Sequence, residues 1–365
     1  MKKALFALAA AGTCAISGVA SAQSNTSVTL YGIVDAGIEF ANHTGSAASN
    51  GNPAISGSKV AVSSGNMSGS RWGLRGAEDL GGGLKAIFTL ESGFDIDTGV
   101  SGQSNRLFGR QAFVGLQGNF GAVTLGRQQN ALYDLFGAYD PMGVGPKYSL
   151  NAVDSGFNGR ADNAIKYTGK FGGLTGTAFY STGRDSTVPN STEVPGNYRI
   201  GRNFGAGLAY TQGAFSVGTA YDQYQGNAAN VDDRAVKRLA FGGSYDLGVA
   251  KVFAGYRWMR DDGIGSPTTA AVRNNVYWLG GLYRVTPALS LTGAAYYTDT
   301  HNSKNDPWMF VLSADYSFSK RTDAYLNIGY VKNKGTSTLA LSSTNPIFPN
   351  GSNQTGAIVG IRHRF

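Results

Sequence analysis

The 365-residue chain is poor in several things, and each scarcity excludes something. It has one cysteine, Cys14, set inside an N-terminal apolar run. The rest of the chain therefore has no disulfide to form, which excludes a small disulfide-stapled scaffold. Beyond that run no stretch is long and apolar enough for a transmembrane helix. The three histidines, His43, His301 and His363, lie far apart, without metal-ligand spacing and without a Ser or Asp pattern of a nucleophile and base. No enzyme, metal centre or cofactor is expected. The Gly-rich "LGGGLKA" (80–86) lacks the Lys-Ser/Thr of a phosphate cradle. Proline is scarce, at 10 residues, and low-complexity runs are absent, which argues against disorder.

What is present begins with "MKKALFALAAAGTCAISGVASAQS", in which two lysines precede an apolar run and an Ala-Ser-Ala ending at Ala22. This is the pattern of a secretory signal with cleavage after residue 22, so residues 23–365 form one exported domain. Lipoprotein processing at Cys14 is disfavoured by the bulk of Thr13, and the run is short for a membrane anchor. The whole chain carries a net charge of +8, and cleavage removes Lys2 and Lys3. A basic balance suits nucleic acid, but export and the interleaving of charge with apolar strands argue against such a partner.

Glycine is abundant, at 53 residues, and Tyr and Phe number 19 each. Alternation of period two runs through Val28–Phe40, Leu84–Ser92, Leu289–Tyr297, Trp308–Phe318 and Ala324–Lys332, and the apolar face of each carries no charge. Seven short turn signals, from "EDLGGGL" (78–84) to "FSKRT" (318–322), alternate with long polar connections such as 42–69. The count is sixteen strands, seven turns and eight long loops. A soluble sandwich or propeller would need a large double core, and blade motifs are absent. The fold expected is all-β, a transmembrane antiparallel β-barrel with apolar side chains toward lipid and polar ones toward a wet lumen. Tyr296, Tyr297, Phe318, Tyr330 and Phe365 are the expected aromatic girdles. The chain stops on a strand, "GAIVGIRHRF", because that strand must close the barrel against the first. Its Arg362 and Arg364 then face the lumen.

Several segments resemble one family. "SVTLYGIVDAGIEF" (27–40), "SRWGLRGAEDLGGGLKAIFTLE" (70–91), "RQAFVGLQGNFGAVTLGRQ" (110–128), "NAIKYTG" (163–169), "FSKRTDAYLNIGYVKNK" (318–334) and "GIRHRF" are similar to Gram-negative general porins of the β-proteobacterial type. The resemblance implies a sixteen-stranded homotrimer in the outer membrane, among its lipid and lipopolysaccharide. It implies passive diffusion of small hydrophilic solutes and inorganic ions, and a third loop folded into the pore. It also makes Phe365 an assembly signal.

The third long connection, about 128–162, carries five aromatic residues and the acids Asp134, Asp140 and Asp154. On the wall opposite, Arg71 and Arg75 share a face, Lys85 lies on the polar face of the next strand, and Arg110 shares parity with Ala112 and Val114. Arg127, Arg160 and Lys166 follow. A cation facing lipid at the midplane costs about 2–4 kcal/mol, so the lumen is the expected place for all seven. The resemblance matches Arg71, Arg110 and Arg160 best to the family's inner wall. The expectation is a basic patch facing loop acids, with mild anion preference. The alternatives are a substrate-specific channel, which would show an aromatic track in the lumen, and an adhesin acting through the long loops.

Overall fold

The computed structural model describes residues 27–48, 54–187 and 193–365. The expected signal segment lies outside the described residues. The ladder starts with β1 (Ser27–Ser46), β2 (Ile55–Ser64), β3 (Arg71–Gly81) and β4 (Leu84–Gly93). It continues with β5 (Gln111–Gly118), β6 (Gly121–Gln129), β7 (Arg160–Phe171), β8 (Leu174–Ser181) and β9 (Asn203–Gln212). Then come β10 (Phe215–Gln225), β11 (Ala235–Asp246), β12 (Ala250–Asp261) and β13 (Val272–Arg284). The last are β14 (Leu289–Thr300), β15 (Trp308–Ser317), β16 (Thr322–Lys332) and β17 (Gln354–Arg364). Each pairs antiparallel with its neighbours, and β17 closes on β1 from Ile33↔Arg364 to Ala41↔Gly356.

Seventeen segments make a barrel of sixteen strands because β2 and β3 share one place. β2 pairs with the loop-side half of β1, and β3 with its turn-side half. Between them residues 65–70 leave the wall and enter the lumen. Asp35 holds this strap by accepting the backbone N–H groups of Met67 (2.9 Å) and Ser68 (2.7 Å). The stretch 42–69, expected to be one loop, is thus mostly strand. Its Ser-, Gly- and Asn-rich composition hid a short alternation in which Val60 and Val62 face outward. Pairing with β1 supplies the hydrogen bonds that local propensity does not.

The side-chain period of two sorts lipid from lumen. On β1, Val28, Leu30 and Ile38 are exposed outward while Asp35 and Glu39 are buried inside. Outward aromatics stack across β12–β15 near the long-loop end: Tyr256 on Tyr277 (5.1 Å), and Tyr297 on Trp308 (4.6 Å). Such a belt marks a membrane interface. Tyr296 does not belong to it. It alternates inward beside Tyr297 and is almost wholly buried against the third loop.

At the turn end, the Phe365 backbone N–H and carbonyl both pair with Gly32, at 3.1 Å each. A Cβ on Gly32 would lie 2.3 Å from the Phe365 ring. Glycine is what lets the terminal ring lie flat on the first strand.

The candidate pore constriction

The third loop, 130–159, folds into the barrel and lines its wall. It opens with a helix, Ala131–Phe136, whose Asn130 cap accepts the Tyr133 backbone N–H. It returns through a short helix, Leu150–Val153, and a 3-10 turn, Ser155–Asn158. Phe136, Tyr139, Tyr148, Leu150 and Phe157 are almost fully buried, so the protein's apolar core sits between this loop and the wall. Glycines make the room. A Cβ on Gly218 would meet the Tyr139 ring at 2.5 Å, one on Gly242 would meet the Tyr139 Cβ at 2.7 Å and its ring at 2.9 Å, and one on Gly280 would meet Pro141 at 2.4 Å. The high glycine content of the inner face is therefore partly a seat for the loop.

Polar pins fix the loop along its course. Trp278 on β13 donates its indole N–H to the Tyr139 carbonyl (2.8 Å). Tyr296 on β14 donates to Asp140 (2.6 Å), which also accepts the Val144 N–H (2.7 Å). Burial pushes the Asp140 carboxyl up, and these donors only partly offset it. Asp154 meets Arg238 on β11 (3.0 Å) and Arg257 on β12 (2.8 Å). Burial alone would raise Asp154, but the two guanidinium groups outweigh it and hold this carboxyl far below the usual range. At the loop's tip, Lys147 meets Glu39 of β1 (2.7 Å), and Asn345 of the last long loop donates to the same carboxylate (2.8 Å). Leu341 of that last loop is also buried and accepts the Tyr148 N–H through its carbonyl (2.9 Å).

The acids were expected to face the basic patch. Asp134 does meet one of the expected wall cations, Lys166 (2.5 Å), but Asp140 is paired with Tyr296, and Asp154 with Arg238 and Arg257. The physical reason is burial. A carboxylate packed under a loop must be satisfied by the wall it touches, so it has no charge to spare for the far side.

The loop covers the wall from β7, where Asp134 and Tyr133 meet Lys166 and Arg160, round to β1, and leaves the β3–β6 side open. There, Arg71, Arg110 and Arg160 come together. Arg110 is the strongest cationic neighbour of both others. Glu91 on β4 binds Arg110 (2.7 Å) and lies 3.9 Å from Arg71. Tyr31 donates to the same carboxylate (3.0 Å). Arg160 stacks over Tyr133 of the loop at 5.6 Å, and its Nε and Nη2 have no protein partner. Arg110 reaches this place by an exception to parity. Positions 112 and 114 face outward with the exposed Val114, but Arg110 precedes β5 and turns inward.

The other expected cations separate. Arg75 lies lower on β3, its guanidinium 5.3 Å over Tyr31. Lys85 is exposed beside the β3–β4 turn, six residues or roughly 20 Å along the strand from Glu91, so it stands outside the constriction. Arg127 pairs with Asp162 (2.5 Å) and Arg106 joins the same acid, in a network by the barrel rim. Lys166 is spent on Asp134. The sequence reading missed Arg238 and Arg257 as loop anchors. Parity carries the signal: each alternates with outward aromatic or aliphatic neighbours on its strand.

A family model described as Gram-negative porin matches residues 4–336. The chain belongs to the Gram-negative porin family. An outer membrane porin protein of Bordetella pertussis is 34% identical over the full length of both chains. Outer membrane porin protein 32 of Delftia acidovorans is 35% identical, again over both full lengths. Among solved structures, an anion-selective porin from Comamonas acidovorans superposes with a TM-score of 0.77 at 28% identity, covering 93% of this chain and all of that one. The porin is thus an outer-membrane channel, a multi-pass β-barrel.

Proposed function

We propose that this porin is a general diffusion channel for small hydrophilic solutes and ions. It works as a homotrimer after loss of residues 1–22, among outer-membrane lipid and lipopolysaccharide. Its mild anion preference is set where the third loop faces Arg71, Arg110 and Arg160. One observation carries the preference: Arg71 and Arg110 share one acid, Glu91, Arg160 beside them has no ion pair among the described residues, and each of the loop's acids is engaged by another group. The anion-selective character of the Comamonas porin supports the same sign.

A unit charge at 4 Å in bulk water is worth about 1 kcal/mol, or roughly a fivefold enrichment of the counter-ion. Reversal potentials in a dilute KCl gradient test the reading. The expected sign is anion-selective, shrinking toward 1 M salt, where the Debye length is about 3 Å. Replacing the three arginines by serine is expected to move the potential toward cation selectivity with the assembly intact. A cation-selective wild type, or an unchanged triple variant, refutes it.

A further inference from the structure

We propose that the strap at 65–70 is an edge of the constriction, and that Gly69 on it sets the aperture beside Arg110 and the charge that Arg110 shows to a passing solute. The inference rests on the diffusion-channel reading above and deepens it, by naming a specificity-determining residue that has no side chain.

The strap is fixed in place. Besides the two N–H groups taken by the Asp35 carboxylate, Gly65 donates its N–H to the Asp35 carbonyl (2.9 Å), and Ser70 Oγ accepts the Asp35 N–H (3.1 Å). Asn66 donates to the Tyr325 hydroxyl of β16 (2.9 Å), and Arg362 of β17 donates to Ser68 Oγ (2.9 Å). Asn66 and Ser70 are buried by these contacts, while residues 67–69 between them stay half-buried.

The strap also joins the two sides of the constriction. Its first half carries the tip of the third loop. The Asn66 carbonyl accepts the Lys147 N–H (3.3 Å), and a Cβ on Gly145 would lie 3.0 Å from the Met67 carbonyl. Its second half faces the arginine wall. The Ser70 carbonyl accepts the Phe94 N–H just past β4 (3.1 Å), and a Cβ on Gly69 would lie 2.9 Å from Arg110 Nη1 and 4.0 Å from Pro146. Loop tip, strap and Arg110 thus converge on residue 69.

The backbone does not ask for glycine there. Gly65 has a φ of +61°, where a side chain is strained, but Gly69 lies outside the left-handed region. Nor does the packing of the fold ask for it, since the nearest obstacle is the end of a flexible side chain. Any larger residue is admitted by displacing Arg110. That guanidinium binds Glu91 through Nε (2.7 Å), and its terminal nitrogens donate to no group among the described residues. Glycine at 69 leaves them room and no competing partner, so they remain for an anion in transit. An ordered glycine is costly in chain entropy, and here that cost keeps a cation available.

A single introduced thiol tests the proposal, because the one native cysteine, Cys14, lies in the segment expected to be cleaved. Gly69→Cys is refolded, inserted into a planar bilayer and then modified with methanethiosulfonates of either charge. Single-channel conductance and reversal potential in dilute KCl are read before and after. The anionic ethylsulfonate adduct is expected to lower the anion-to-cation ratio about fivefold, the worth of one unit charge at about 4 Å in water, and by less as salt rises. The cationic ethyltrimethylammonium adduct is expected to keep the anion preference, and both adducts are expected to cut conductance alike because both fill the same gap. Gly57→Cys near the long-loop end of β2, where a Cβ meets nothing, is expected to leave both readings almost unchanged when modified. A thiol at 69 that does not react, or adducts that move neither conductance nor ratio, overturns the role of Gly69. Should Gly69→Cys fail to assemble, Gly69→Ala decides: reduced conductance supports the role and wild-type conductance refutes it. Arg110→Ser on the same apparatus separates the two readings. If it leaves the ratio unchanged, the basic-wall reading falls; if it lowers the ratio while the Gly69 adducts do not, the strap's role alone falls.

Discussion

Replacing Asp154 by asparagine is expected to loosen the third loop without opening the barrel. The carboxylate meets Arg238 at 3.0 Å and Arg257 at 2.8 Å, with all three side chains at most 7% exposed. A charge pair at about 4 Å and an effective dielectric near 20 is worth about 4 kcal/mol before desolvation. Removing one partner of such a buried set costs about 3–5 kcal/mol, because the cations left behind are uncompensated. That raises the population of a locally released loop by roughly two to four powers of ten. The other pins, Tyr296 to Asp140 and Lys147 to Glu39, remain, so release is confined to the returning arm around 150–158. None of these contacts belongs to the strand ladder. Single-channel recording is expected to show larger current noise and altered conductance, and liposome swelling a changed size cut-off. Resistance of the assembly to heat in detergent is expected to change little. An Asp154→Asn channel with wild-type noise, conductance and cut-off would show that the double-arginine clamp does not position the loop.

Three further outcomes follow from the same contacts. Gly242→Val places a side chain against the Tyr139 ring, and overpacking of this kind costs about 1–3 kcal/mol; protease cleavage within 130–159 is expected to rise, and unchanged protection refutes the seat. Tyr296→Phe strips the donor from the buried Asp140 at a cost of about 1–3 kcal/mol. A carboxyl raised on folding binds its proton more tightly when folded, so its penalty is present above that raised value and fades as pH falls through it; the variant is expected to melt well below wild type at neutral pH and closer to it in acid, and an equal deficit at both refutes the assignment. Gly32→Val displaces the Phe365 ring; outer-membrane levels in cells are expected to drop, as on deletion of Phe365, while refolded protein holds in detergent, and normal levels would refute the role of the terminal ring.

Period-two alternation and seven tight turns determined the barrel from the sequence alone. Each strand must hide an apolar face from water on one side and keep a polar face wet on the other, and that demand is written residue by residue. Arg71 was legible for the same reason, as a cation on the face opposite Trp72 and Leu74. Contacts between distant segments were not legible. Asp134, Asp140 and Asp154 look alike in the sequence, yet Lys166, Tyr296 and an arginine pair claim them separately. Only the path of the loop decides which wall each acid touches. Tyr296 and Tyr297 differ by one position and face opposite media, so a girdle inferred from composition misassigned one of them. Arg110 and the strap at 65–70 escaped alternation because both lie where the ladder is interrupted. The inward fold of the last loop had no local signal, since Leu341 is buried only against Tyr148 and the wall. Local pattern sets which side of a strand faces lipid. Closure of the barrel around its loops decides which charges are left for the pore.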